Sequence, residues 1–210
     1  MEYNNQNNAL KKTARIISVA FHPLLMPLYG MLIIFTAPTF FWYVPMRIKL
    51  TLLLIVITDT ILIPVSLLPF FMHRNIIRSW FLETRKERIA PLITVSICYI
   101  VTSYIFVSLQ IPIFIKAYIL SATVVVICVT VINIWWRISV HSVAAGALLG
   151  IVFMLSVIMG VSLTWFLLPV LLLTGMILTS RLFLNSHNSL EVYSGFLCGF
   201  AGISLLILIF

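Results

Sequence analysis

His141 and His187 are imidazoles standing in polar islands of an otherwise apolar chain. Glu191 follows His187 by four residues, an interval that puts both on one face if the segment is helical. A carboxylate so placed holds one imidazole nitrogen protonated and leaves the other free to attack an electrophile. Glu191 is also the only acid after Glu87, in a region where charge is costly to keep. The plainer alternative is an Arg181–Glu191 ion pair with His187 idle. His141 lies in Trp136-Arg137-Ile138-Ser139-Val140-His141-Ser142. Ser139 is placed there to cap the next helix, whose free N–H groups form an anion site. A lone histidine at a membrane boundary also serves as a structural donor. The first island along the chain runs from His73 to Pro91. If it is helical, Arg74, Arg78, Arg85 and Arg88 share a stripe that Phe81 interrupts. Guanidinium forks suit a phosphate. They equally suit a juxtamembrane segment meeting anionic headgroups.

The elements that must position these residues are membrane helices. Of 210 residues, 62% are hydrophobic and 9% charged, more apolar surface than a sphere of this size can hide from water. Unpaired backbone is not tolerated in lipid, and unbroken apolar runs of about 20 residues fit helices rather than alternating barrel strands. Seven segments follow, at about 16–37, 49–71, 90–108, 114–134, 142–161, 163–180 and 191–210. The first carries His22-Pro23 and Pro27, so it is either a kinked span or an interfacial start. The expectation is an all-α polytopic transmembrane bundle of six to seven spans. It forms one domain over 1–210, with a polar tail at 1–15. Short turns near Gln110-Ile111-Pro112 and Gly160 make their flanking helices antiparallel. The islands 73–91, 136–142 and 180–191 are separated by two segments each, so all three emerge on one side. Seven of the eighteen charged residues lie between Arg74 and Arg88, which is one focus and no nucleic-acid footprint. Cys98, Cys128 and Cys198 read as small buried hydrophobes. Asp59 is an intramembrane acid, neutral or paired with a nearby donor. His22 reads as structural.

The joint pattern resembles the type 2 phosphatidic acid phosphatase family, whose motifs are K-x6-R-P, P-S-G-H and S-R-x5-H-x3-D. Ser180-Arg181, five residues, His187, three residues and Glu191 match the third, with Glu for Asp. Ile138-Ser139-Val140-His141 matches the second, with Ile for Pro and Val for Gly. The first is looser. Arg78 and Arg85 keep its interval with Lys86 at the proline position, and Arg85-x2-Arg88-x2-Pro91 is a variant form; Arg85, Lys86 and Arg88 are preferred because they abut the next span. The resemblance covers about 74–200. It implies that His187 attacks phosphorus to form a phosphohistidine, with Glu191 steadying its far nitrogen. It further implies that His141 protonates the leaving alcohol and later activates water. Arg85, Lys86, Arg88, Ser139, the Val140 N–H and Arg181 would stabilise the transition state. No metal or cofactor is implied, and five acids are too few for a carboxylate metal cage.

The helices that carry the two histidines contain Gly146-x3-Gly150 and Gly195-x3-Gly199, which lets backbones approach in lipid. Their direct packing would set the His141–His187 distance. Orientation stays open. Ten basic residues on the island side against three opposite favour a cytoplasmic site, but several of the ten are candidate phosphate ligands. The family resemblance points to the periplasm or lumen. The expected function is an integral membrane phosphatase acting on a lipid phosphate or diphosphate monoester, in a bacterial cytoplasmic membrane. A lipid phosphotransferase with the same site, and a non-catalytic transporter or lipid-phosphate-binding protein, are the alternatives.

Overall fold

The computed structural model describes residues 2–77 and 85–210, with side chains over 9–77 and from 86 onward. Helices α1 (Glu2–Ala20), α2 (Met26–Thr36), α3 (Met46–Ile57), α4 (Ile63–His73) and α5 (Arg85–Ser108) come first. They are followed by α6 (Ile113–Trp135), α7 (Val140–Met159), α8 (Thr164–Phe183) and α9 (Ser189–Ile209). No strand occurs among the described residues. Among the described residues, seven stretches are long and apolar enough to cross a bilayer: Ala9–Thr36, Met46–His73, Lys86–Ser108, Ile113–Trp135, Val140–Met159, Thr164–Phe183 and Ser189–Ile209. The chain is an all-α polytopic helical bundle.

Prolines account for both breaks within the first two stretches. Pro23 has no N–H and pushes His22 into extended backbone (φ −66°, ψ 142°), so α1 stops and a 3₁₀ turn, Pro23–Leu25, leads into α2. The expected polar tail is therefore the start of a helix, with α1 laid along α8. In the second stretch a π turn, Thr58–Leu62, precedes Pro64, and the Ile63 N–H reaches back to the Thr58 carbonyl. A proline ring crowds the carbonyl four residues earlier, and widening the turn relieves it.

α7 is the central helix, packed against α9, α8 and α2. α5 and α6 form an antiparallel pair joined across residues 109–112, glued by Ser103–Thr123 (2.6 Å) and Ser96–Thr130 (2.9 Å) hydroxyl pairs. Gly160 closes α7 in the left-handed region (φ 61°), which turns the chain into α8. Leu172, Leu197 and Leu205 face outward, where lipid covers them. Cys98 is buried, but Cys128 is exposed on the outer face of α6, so the three cysteines are not all interior. Asp59 is paired: Thr102 Oγ1 donates to its carboxylate at 3.1 Å.

The first island is not one continuous helix. α4 ends at His73, and Asn75 takes a left-handed conformation (φ 57°) while the Ile76 N–H bonds back to the Phe71 carbonyl. Arg74 turns over the Phe70 ring, 5.6 Å from its centroid. Arg78, Glu83 and Thr84 lie outside the described residues, and of Arg85 only the backbone is described.

Candidate active site

Glu191 shapes the third island. Asn188 caps α9: its side-chain oxygen accepts the Glu191 N–H at 2.8 Å. The Glu191 carboxylate folds back to accept the Asn188 N–H at 3.3 Å, completing a reciprocal cap. The same oxygen, Oε2, accepts the proton on His187 Nδ1 at 2.7 Å. His187 precedes α9, so its meeting with Glu191 comes from the capping loop rather than from one helical face. Asn185, left-handed at φ 51°, turns the chain out of α8 so that the loop can close.

With its proton fixed on Nδ1, His187 presents a lone pair at Nε2, and Arg88 Nη1 lies 3.5 Å from that atom. The His187 side chain is buried. Burial, then the charges of Arg88 and Arg181, hold its pKa below the ordinary imidazole value of 6.5; the Glu191 hydrogen bond and charge act the other way. The ring is neutral at pH 7, as a nucleophile must be.

The second island docks on the third. The Ser139 N–H donates to the Glu191 backbone carbonyl at 3.2 Å. Ser139 Oγ accepts from the Ser142 N–H (3.4 Å) and the Ser142 hydroxyl (2.9 Å), so it caps α7 as its position predicts. Val140 is the first residue of α7, where a backbone N–H has no intrahelical acceptor. His141 Nε2 donates to the Ser18 carbonyl at 3.2 Å, which leaves Nδ1 as the atom that can take up or release a proton. Arg181 and His187 lie within Coulomb range of His141.

The α7–α9 seam holds these pieces in register. A methyl group at Gly146 would collide with the Phe196 carbonyl, and one at Gly199 with the Val143 carbonyl. At Gly195 it would sit 2.9 Å from the Ser139 carbonyl. The two helices touch backbone to backbone, as the paired GxxxG motifs predict.

Arg88 and Arg181 thus join the two histidines and Glu191. Lys86 is exposed and makes no hydrogen bond or ion pair among the described residues. Three participants were not singled out as site residues from sequence. Arg137 lies within Coulomb range of both Arg88 and Arg181. Ser18 takes an Arg181 N–H on its hydroxyl at 3.4 Å. The His22 ring stands edge-on to His141, centroids 5.5 Å apart. Arg137 had a signal, being a cation inside the second island. Ser18 acts on His141 through a backbone carbonyl, which no residue type announces.

Arg88, Arg137 and Arg181 gather near His187 and Glu191, and the Nε atoms of Arg137 and Arg181 are buried without a hydrogen-bond partner among the described residues. Partly buried guanidiniums gathered beside a neutral imidazole suit a multiply charged anion. The fold and site define a polytopic membrane protein with a cluster of histidines and arginines at one end of its bundle. Compared with known proteins, the chain matches no family model, no curated protein and no solved structure.

Proposed function

We propose that this chain is an integral membrane phosphatase that hydrolyses a lipid phosphate or diphosphate monoester through a phosphohistidine at His187, without a metal. The observation that carries the reading is the His187 ring, held at Nδ1 by Glu191 and flanked at Nε2 by Arg88, with Arg181 in Coulomb range of the ring and Arg137 in range of both arginines. In the first step Nε2 attacks phosphorus and the bond to the lipid-side oxygen breaks. His141, protonated, gives its proton to that leaving oxygen. The positive charge left on the phosphorylated imidazole is offset by Glu191. Water then attacks the phosphorus, His141 takes its proton, the N–P bond breaks and orthophosphate leaves. Arg88, Arg137 and Arg181 stabilise the charge gathering on the equatorial oxygens. The motif resemblance to type 2 phosphatidic acid phosphatases supports the same assignment of nucleophile and acid.

The bilayer setting suits a substrate whose phosphate reaches the islands while its apolar chains stay among the helices. The test is orthophosphate release from a panel of lipid phosphates and diphosphates by purified protein in EDTA, beside His187→Ala. Wild type should turn over at least one lipid. His187→Ala should lose about 10⁴-fold or more in kcat, as removal of a nucleophile does, while still binding orthovanadate. Equal rates in the two proteins, or no release from any lipid, would remove the phosphatase reading.

A further inference from the structure

We propose that His22, on the first membrane stretch, is a further substrate-binding residue of this site, donating its Nε2–H to the bound phosphoryl group. The inference rests on the phosphatase reading and names a contact beyond its motif residues. Four observations carry it. The Leu24 N–H donates to His22 Nδ1 at 3.3 Å, so the neutral ring carries its proton on Nε2, and nothing among the described residues accepts that proton. The ring stands at 82° to that of His141 with centroids 5.5 Å apart, at the edge of the catalytic cluster. Arg181 lies within Coulomb range of it. Residue 22 as a whole is exposed at the surface of the bundle and not enclosed in its core.

The backbone around His22 is fixed. Pro23 sets the extended conformation, and the 3₁₀ turn that follows packs on α7 and on the π turn of the second stretch. The turn that presents the ring is therefore packed against elements of two other stretches. A capping role alone is a weak account of a histidine here, because Ser, Thr, Asp and Asn cap more effectively. Those side chains would satisfy the Leu24 N–H without placing a donor beside His141.

Two substitutions separate the roles. Asparagine offers an acceptor near the Nδ1 position and keeps the cap, but nothing at Nε2. Glutamine carries an N–H out to the Nε2 position and gives up the short cap. Orthovanadate binding by calorimetry and the melting temperature are measured on the purified full-length chain. His22→Asn should bind vanadate about tenfold more weakly at an unchanged Tm, the loss expected of one hydrogen bond to a charged oxygen. His22→Gln should stay within about threefold of wild type. The inference is overturned if His22→Asn binds like wild type, or if His22→Gln is the weaker binder and melts lower, the mark of a cap. Wild type failing to bind vanadate would bring down the phosphoryl site as a whole. Wild type binding while both variants match it removes His22 alone.

Discussion

Glu191 serves two geometries with one oxygen, accepting the Asn188 N–H and the His187 Nδ1–H. Amide replacement separates what it does for structure from what it does for charge. Glu191→Gln retains an oxygen for the cap but no longer offsets a phosphoimidazolium, so kcat should fall by about 10²-fold or more while the protein folds. The pH profile follows from the lowered pKa of His187. A depressed pKa means the proton leaves early, so the reactive neutral ring persists as pH falls and is lost only on passing through that lowered value. The acid limb of kcat/KM should therefore lie below pH 6.5, the ordinary imidazole value. Because the Glu191 charge raises that pKa, Glu191→Gln should move the limb further down. An acid limb at or above 6.5, or one shifted upward by the amide, would contradict the assignment. Arg137 supplies the third guanidinium, and Arg137→Lys should weaken vanadate binding about tenfold, since a point charge cannot replace the planar fork. Unchanged affinity on calorimetric titration would take Arg137 out of the site.

At the scale of elements, the distance between the two histidines depends on α7 and α9 approaching through glycine. Gly199→Ala drives a methyl group into the Val143 carbonyl, and the helices must part. The expected cost is about 1–3 kcal/mol, with activity lost because the Ser139–Glu191 contact lies along the same seam. Gly175→Ala on α8 is the control: nothing lies within 4 Å of the added methyl, so thermal stability should hold or rise. Asn188→Ala should cost about 1 kcal/mol in a denaturation series and loosen the loop that holds His187. The paired glycines and the Ser139 cap were legible in the sequence, because each is a local pattern with one mechanical use. The His187–Glu191 interval was legible as proximity but not as form. Helical spacing places the two residues on one face, whereas the capping box turns His187 out ahead of the helix. The condition of a continuous helix through the first island is not met, because Asn75 ends α4 in a left-handed conformation that arginine spacing does not reveal.

Across the whole molecule, counting apolar segments was enough to bring the islands to one face, since two crossings return the chain to its starting side. Contacts between residues far apart in sequence were beyond such counting. Ser18 meets Arg181 across 163 positions, and His22 meets His141, because α1 lies on α8 and a proline turn folds the first stretch over the second island. Periodicity places a residue on a face of its own helix and says nothing about which helix covers that face. The topology has its own check, in a background with Cys98, Cys128 and Cys198 replaced. A cysteine at exposed Asn185 and one at exposed Ser162 should react with a membrane-impermeant maleimide from opposite sides of sealed vesicles. Labelling of both from one side would contradict a bundle whose α8 crosses the bilayer.

The central claim concerns one nitrogen atom, and trapping the phosphoenzyme tests it most directly. Purified protein mixed with a radiolabelled lipid phosphate in EDTA is quenched within milliseconds in alkali. The account predicts a label on the chain that survives base, is released by acid, maps to the peptide carrying His187 and is absent from His187→Ala. Turnover with no such label, or a label that persists when His187 is replaced, would contradict it.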